Sequence, residues 1–186
     1  MRVLFVCSGN ICRSPLGAQV LTARLGPDAA AFVVESAGTI ADDGAAMDGA
    51  AAAQSVRLGG DPSGHGSRYL TASIVEDADL VLTAERSHRA AVVSLVPRAT
   101  KRAFTIKQFA RVLAGLEPGD LADVHSPEAL VERVARLRGT VPPPADPADD
   151  DVDDPYRLSE ATHARVADEI DAALALIADA LRAALR

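Results

Sequence analysis

The feature that most constrains the fold of this chain is the alternation of short apolar runs with stretches of helical periodicity. The first run, RVLFV at residues 2–6, is uninterrupted and β-rich, which is typical of a strand buried on both faces of a parallel sheet. Similar runs occupy residues 31–39, 78–84 and 101–106. Strands that alternate with helices predict an α/β three-layer sandwich, in which a central four-stranded parallel sheet is flanked by helices.

Helices are predicted between and after these runs. Ser14 and Pro15 open the first helix, which should end at Arg24 or Leu25, because proline is tolerated in the first helical turn. A long amphipathic helix is predicted from Ser159, as its N-cap, towards Arg186. The shorter helical stretches cover residues 45–59, 87–96, 107–116 and 126–139.

One segment departs from this alternation. The proline- and aspartate-rich stretch TVPPPADPADDDVDD, at residues 140–154, predicts a loop rather than a core element. The chain length is that of a single domain with a sizeable core, so we expect one domain over residues 1–186.

Composition narrows the class of protein. A net charge of −7 and a pI of about 5.0 argue against a general nucleic-acid binder, which needs a basic face. No apolar run approaches the roughly 20 residues that span a bilayer, and the run after Arg2 is too short for a signal peptide. We therefore expect a cytoplasmic protein with no nucleic-acid or membrane partner. The four histidines lie far apart and Cys7 and Cys12 have poor zinc spacing, so no metal is expected.

The stretch CSGNICRS, residues 7–14, lies at the predicted carboxyl end of the first strand, where ligands bind in such folds. A loop between a strand and a helix can direct its backbone N–H groups towards an anion, and Gly9 and Asn10 permit the turn. Arg13 carries a planar guanidinium suited to two phosphate oxygens, and a cysteine that faces this cradle would be favoured as a thiolate. The alternative is that Cys7 is a small buried side chain and Arg13 a surface cation.

These motifs resemble the low-molecular-weight protein tyrosine phosphatase family. The resemblance is carried by C-x5-R-S with GN and CRSP, by DDPY at residues 153–156, and by the stretches ESAGT, HGSRYLT and DADLVLTAERS. It spans residues 2–106 and 153–186. The segment around 118–152 is longer than the connection usual in the family and is interpreted as an insertion, either a lid, a partner surface or a decorative loop.

The resemblance implies a phosphomonoesterase that needs no metal or cofactor and works through a cysteinyl-phosphate intermediate. Cys7 would be the nucleophile, Arg13 the phosphate clamp, and Asp154 the general acid and then the base. Asn10 and Ser36 would hold the shape of the loop, and Ser14 would hydrogen-bond the thiolate. The phosphate-binding residues would be Ser8, Gly9, Asn10, Ile11, Cys12, Arg13 and Ser14. For Asp154 the alternative is a solvated turn residue, since Asp-Pro is a common turn pair.

The resemblance also predicts the substrate and a redox partner. Ile11, Asp42 and Tyr156 would line the substrate cleft, and Ile11 is bulky as in tyrosine-directed members, where arginine-phosphate-directed members have a smaller polar residue. The expected substrate is a phosphotyrosine protein, or else a small phosphomonoester. Cys12 would trap oxidised Cys7 as a disulfide, or would simply pack in the loop.

Two other functions remain open at this point. An arsenate reductase coupled to a low-molecular-weight thiol would need only Cys7, whereas thioredoxin-coupled versions need more cysteines than this chain has. A catalytically idle phosphate-binding module would be expected to lose the cysteine or the acid, and both are present.

Overall fold

The computed structural model describes residues 1–186, apart from the side chain of Pro118. Its elements in chain order are β1 Arg2–Cys7, α1 Arg13–Leu25, β2 Val33–Gly38, α2 Gly49–Arg57, α3 Ala72–Asp77, β3 Leu80–Thr83, α4 Arg86–Leu95, β4 Ala103–Thr105, α5 Ile106–Ala114, α6 Pro127–Leu137 and α7 Glu160–Ala183. The strands form one parallel sheet in the order β2-β1-β3-β4. The predicted four-stranded parallel sheet is confirmed.

The two faces of the sheet bury two apolar layers. Val3, Phe5 and Cys7 of β1 point to one face, where α1, α5, α6 and α7 pack. Leu4 and Val6 point to the other face, which α3 and α4 cover. Because alternate residues of β1 are buried on opposite faces, the strand is uninterruptedly apolar, and the predicted three-layer sandwich is confirmed.

The helix boundaries follow from local capping. The predicted N-cap of α7 is confirmed, since the Oγ atom of Ser159 accepts a hydrogen bond from the backbone N of Thr162 at 3.2 Å. The helix predicted from residue 45 begins later, at Gly49, because the carboxylate of Asp48 accepts from the backbone N atoms of Ala50 and Ala51. Helix α3 has no counterpart among the predicted elements.

Residues 140–154 contain no strand or α-helix, as the loop prediction requires, but the expectation that the segment is not part of the core is wrong. Val152 is fully buried, and its backbone N donates to the carbonyl O of Ala84 at 2.8 Å. Asp150 is also buried, and its carboxylate accepts two hydrogen bonds from the guanidinium of Arg111. The aspartate run therefore contains an anchored segment, because one carboxylate has a cation to face and one apolar residue fills a gap in the core.

Candidate active site

The candidate site lies at the carboxyl end of β1, in the middle of the sheet. In the sheet, β1 lies between β2 on one side and β3 on the other. The strands on the two sides of β1 are therefore reached by chain connections that run in opposite directions from its carboxyl end, where Cys7 lies. This is the topological switch point at which parallel α/β folds bind ligands. Residues 8–12 join β1 to α1, and Arg13 and Ser14 begin that helix.

The thiol of Cys7 is buried and held by two groups of its own loop. Its Sγ lies 2.9 Å from the Oγ of Ser14 and accepts from the backbone N of Asn10 at 3.3 Å. These two contacts fix the position of the sulfur atom within the loop. The structure thus brings the sequence-predicted residues Cys7, Asn10 and Ser14 into one contact group.

Asn10 holds the loop in shape. Its φ of +55° lies in the left-handed region that asparagine tolerates. The buried side chain donates from Nδ2 to the Oγ atoms of Ser14 and Ser36, at 2.9 and 2.8 Å, and its Oδ1 accepts from the backbone N of Arg68 at 2.8 Å. A single side chain therefore ties the loop to α1, to β2 and to the segment before α3.

Two residues that support this loop were missed in the sequence. His65 donates from Nε2 to the carbonyl O of Asn10 at 2.7 Å. A Cβ atom on Gly38 would lie 2.3 Å from the carbonyl O of Ser8 and 2.8 Å from the backbone N of Asn10. Gly38 is therefore required by the close approach of β2 to the loop, a contact that local sequence does not show.

Arg13 is buried, which argues against the alternative that it is a surface cation, and it faces two carboxylates. Its Nη1 donates to the carboxylate of Glu85 and to the carbonyl O of Val152 at 2.9 Å. Its Nη2 lies 3.1 Å from the Oδ2 of Asp154. The Nε atom is buried without a hydrogen-bond partner among the described residues. Glu85 is a partner that the sequence analysis missed, although it lies in the quoted stretch DADLVLTAERS.

Opposing effects act on the carboxyl group of Glu85. Burial favours its neutral form, but the hydrogen bond and positive charge of Arg13 outweigh this, so the pKa of Glu85 lies below its usual value. The charged pair of Glu85 and Arg13 fixes the guanidinium beside the loop.

His88, which the sequence analysis did not assign to the site, is buried beside the loop. The backbone N of Glu85 donates to its Nδ1 at 3.1 Å, so in the neutral ring the proton is on Nε2, which donates to the Oγ of Ser8 at 2.8 Å. Burial lowers the pKa of His88, which keeps this ring neutral. The Oγ of Ser8 also accepts weakly from the Nη2 of Arg13 at 3.5 Å, so its own proton is free to be donated elsewhere.

The loop opens into a pocket of about 180 Å³. Its lining comprises Cys7, Ser8, Gly9, Ile11, Cys12, Arg13, Ile40, Asp154 and Tyr156. Asp42, predicted to line the cleft, is not among these residues, and Ile40 takes its place. The reason is that the backbone N of Ile40 donates to the carbonyl O of Ser8, which holds that residue against the loop.

Cys12 lies in the same pocket as Cys7 but differs from it chemically. Burial, and then the negative charges of Asp48 and Cys7, raise the pKa of Cys12 to about 12. Its side chain is therefore a thiol at neutral pH. Among the described residues, no group of three or more histidine, cysteine, aspartate or glutamate side chains could hold a metal ion, and no helix is long and apolar enough to cross a membrane.

Known proteins resemble this chain in sequence and in fold. A protein-arginine-phosphatase of Geobacillus stearothermophilus is 34% identical over 135 residues, which cover 73% of this chain and 86% of that protein. The low molecular weight protein-tyrosine-phosphatase Etp of Escherichia coli K12 is 38% identical over 95 residues, which cover 51% of this chain and 62% of that protein. The YwlE arginine phosphatase from Geobacillus stearothermophilus superposes with a TM-score of 0.71 at 25% identity, covering 98% of this chain and 93% of that one.

The family model described as low molecular weight phosphotyrosine protein phosphatase matches residues 2–130. The match includes Cys7, Arg13 and Glu85 but ends before Asp154, whose position beside Arg13 therefore rests on the structure and not on this match. The sequence and fold comparisons agree, and this chain belongs to the low molecular weight phosphotyrosine protein phosphatase family.

Proposed function

We propose that this phosphatase hydrolyses phosphomonoesters through a cysteinyl-phosphate on Cys7, with phosphotyrosine in proteins as its substrate. The observation that carries the proposal is the juxtaposition of Cys7, Arg13 and Asp154 in one pocket, with Asp154 3.1 Å from Arg13. A thiol nucleophile, an anion-binding cation and a carboxyl group are the three functions that phosphoryl transfer through cysteine requires.

The reaction follows from these positions. The thiolate of Cys7 attacks phosphorus and forms the S–P bond while the bond from phosphorus to the leaving oxygen breaks. Asp154, as the carboxylic acid, gives that oxygen its proton. Asp154 then takes a proton from the attacking water, the S–P bond breaks, and phosphate and the Cys7 thiolate are released. Arg13 and the loop bind the oxygens that carry the charge in both steps.

The buried donors of the loop support oxyanion binding. The Nε of Arg13 has no partner among the described residues, and a buried, charged donor without a partner is costly unless a ligand satisfies it. The hydroxyl of Ser8 accepts from His88 and Arg13 and lines the pocket, so its proton can be donated to a phosphoryl oxygen.

The walls of the pocket support an aryl leaving group. Ile11, Ile40 and Tyr156 present apolar surface around Cys7, and a phenol ring is the phosphorylated side chain that such surface fits. Relatives named as protein-arginine-phosphatases make phosphoarginine the second candidate. Its cationic leaving group would be attracted by carboxylates, and among the described lining residues Asp154 is the only one.

The test is a steady-state assay with phosphotyrosine and phosphoarginine peptides, with arsenate reduction measured alongside. We expect kcat/KM for phosphotyrosine to exceed that for phosphoarginine at least tenfold, and no arsenate reduction with glutathione-type thiols. Cys7→Ser should abolish turnover yet still bind inorganic phosphate, because the loop and Arg13 form the cradle. A Cys7→Ser protein that retains a tenth of the wild-type turnover would exclude Cys7 as the nucleophile. Preference for phosphoarginine would overturn the substrate assignment.

A further inference from the structure

We propose that a shallow apolar pocket beside the active site binds an apolar side chain of the protein substrate, close in sequence to its phosphorylated residue. This second pocket has a volume of about 260 Å³ and is lined by Thr39, Tyr69, Leu70, Ala91, Ser94 and Leu95. The inference rests on the proposed function, because it requires the phosphorylated residue of a protein to enter the pocket at Cys7.

The two pockets share one backbone segment. Thr39 lines the second pocket, and its neighbour Ile40 lines the active-site pocket. Both residues are hydrogen-bonded to the chain at the start of the loop. The backbone N of Thr39 donates to the carbonyl O of Cys7 at 3.0 Å, and the backbone N of Ile40 donates to the carbonyl O of Ser8 at 3.1 Å. A substrate chain that places its phosphorylated residue over Cys7 and crosses Ile40 therefore reaches the second pocket within a few residues.

Exposed apolar side chains are concentrated along this path. Nine large apolar residues are exposed among those that the structure describes, and four of them line one of the two pockets. These four are Ile40, Tyr69, Leu95 and Tyr156, with exposed fractions of 74%, 53%, 47% and 42%. Single exposed apolar residues are ordinary, whereas several that line two neighbouring pockets indicate an interaction surface.

Hydrogen bonds hold one wall of the second pocket in place. Tyr69 forms a parallel bridge with Gly38, and its backbone N donates to the Oδ1 of Asp43 at 2.6 Å. The backbone N of Leu70 donates to the carbonyl O of Gly38 at 2.8 Å. A pocket with a fixed wall loses little free energy to ordering when it binds.

The opposite wall comes from one face of α4 and carries no charge. Ser94 and Leu95 lie three and four residues after Ala91, which places both next to it on the helix surface. None of the described lining residues is charged. An apolar side chain therefore gains contact area there, while a charged side chain would lose hydration without gaining a partner.

The experiment uses a series of phosphotyrosine peptides in which one leucine is moved through the flanking positions of a serine–glycine host sequence. We expect one position on one side to raise kcat/KM on the order of tenfold over serine, and aspartate there to give no gain. Equal kcat/KM for leucine, serine and aspartate at every position would overturn the docking pocket.

Two variants assign the effect to this pocket. In Leu95→Gln, kcat/KM for the leucine peptide should fall to within about twofold of kcat/KM for the serine peptide. Its kcat/KM for p-nitrophenyl phosphate should stay unchanged. Leu176→Gln, at a leucine of similar exposure on α7 that lines neither pocket, should keep both values. A leucine preference that survives Leu95→Gln overturns the assignment. If the wild type does not hydrolyse p-nitrophenyl phosphate at all, the proposed function is overturned, and the docking pocket with it.

Discussion

At the scale of single residues, the two aspartates of the sequence DDPY lie in different surroundings. Asp154 lines the active-site pocket and contacts Arg13, whereas the carboxylate of Asp153 accepts from Arg165 of α7 at 2.8 Å and is largely exposed. The neighbours form a matched pair, because both are aspartates with an arginine partner and only Asp154 lines the same pocket as the Cys7 thiol.

This pair gives a test of the general acid. Asp154→Asn should lower kcat for phenyl phosphate roughly 10²- to 10⁴-fold, because the amide cannot protonate the leaving oxygen. Asp153→Asn should leave kcat within about twofold. The loss in Asp154→Asn should shrink for leaving groups of lower pKa, measured across a series of substituted phenyl phosphates. Losses that are equal across the series would assign Asp154 a role other than proton transfer.

The two cysteines of the pocket lead to a second prediction at this scale. Peroxide should convert Cys7 to a sulfenic acid, and the thiol of Cys12 should then form a disulfide with it and release water. Because burial raises the pKa of Cys12 to about 12, the disulfide should form faster as the pH rises. Activity of the wild type should return fully with dithiothreitol, while Cys12→Ser should lose most of its activity permanently. Mass spectrometry of the oxidised wild type that shows two intact thiols would contradict the pairing.

At the scale of the elements, β2 passes very close to the loop formed by residues 8–12. We expect Gly38→Ala to push the backbone at Ser8 and Asn10, because the added carbon would meet both within 2.8 Å. A displacement of about 1 Å in a loop that positions reacting groups costs on the order of 10²-fold in kcat/KM. The overpacking itself should lower the free energy of unfolding by about 1–3 kcal/mol. The measurements are p-nitrophenyl phosphate kinetics and urea unfolding.

Gly49→Ala is the control for that substitution. Gly49 begins α2, and a carbon added there would have no neighbour within 4 Å. The Gly49→Ala variant should have wild-type activity. Its stability should equal or exceed that of the wild type, since alanine favours the helix. Wild-type kinetics in Gly38→Ala would show that the geometry of the loop does not depend on its close contact with Gly38.

At the scale of the whole molecule, the sequence predicted what is local and missed what the topology brings together. The strand, the turn at Gly9 and Asn10, and Arg13 lie within one short stretch, so their chemistry was visible in the order of residues. Glu85 and His88 lie 72 and 80 residues from their partners Arg13 and Ser8, and only the pairing of β1 with β3 places them there. The core position of Val152 was missed for the same reason, because an aspartate-rich stretch gives no sign of its one buried residue.

The same long-range contact couples the stability of the whole fold to pH. His88 accepts from the backbone N of Glu85, so protonation would break that hydrogen bond in a buried site, and burial lowers the pKa of His88 below its ordinary value of 6.5. Below about pH 6.5 the unfolded chain therefore binds a proton that the folded chain excludes. The contribution of His88 to the free energy of unfolding is thus intact above this pH and declines as the pH falls towards the lowered pKa of the folded state.

The substitution His88→Gln isolates this contribution, since glutamine keeps a donor and an acceptor but does not titrate. At pH 7.5 it should cost about 1–2 kcal/mol, the usual worth of a disturbed buried hydrogen bond. Between pH 7.5 and 5.5 the wild type should lose more stability in urea unfolding than His88→Gln does. His125→Gln, at an exposed histidine, should follow the wild type at both pH values. Parallel pH dependence in the wild type and His88→Gln would mean that the buried imidazole does not resist protonation, and the hydrogen bond from Glu85 would then not hold the ring neutral.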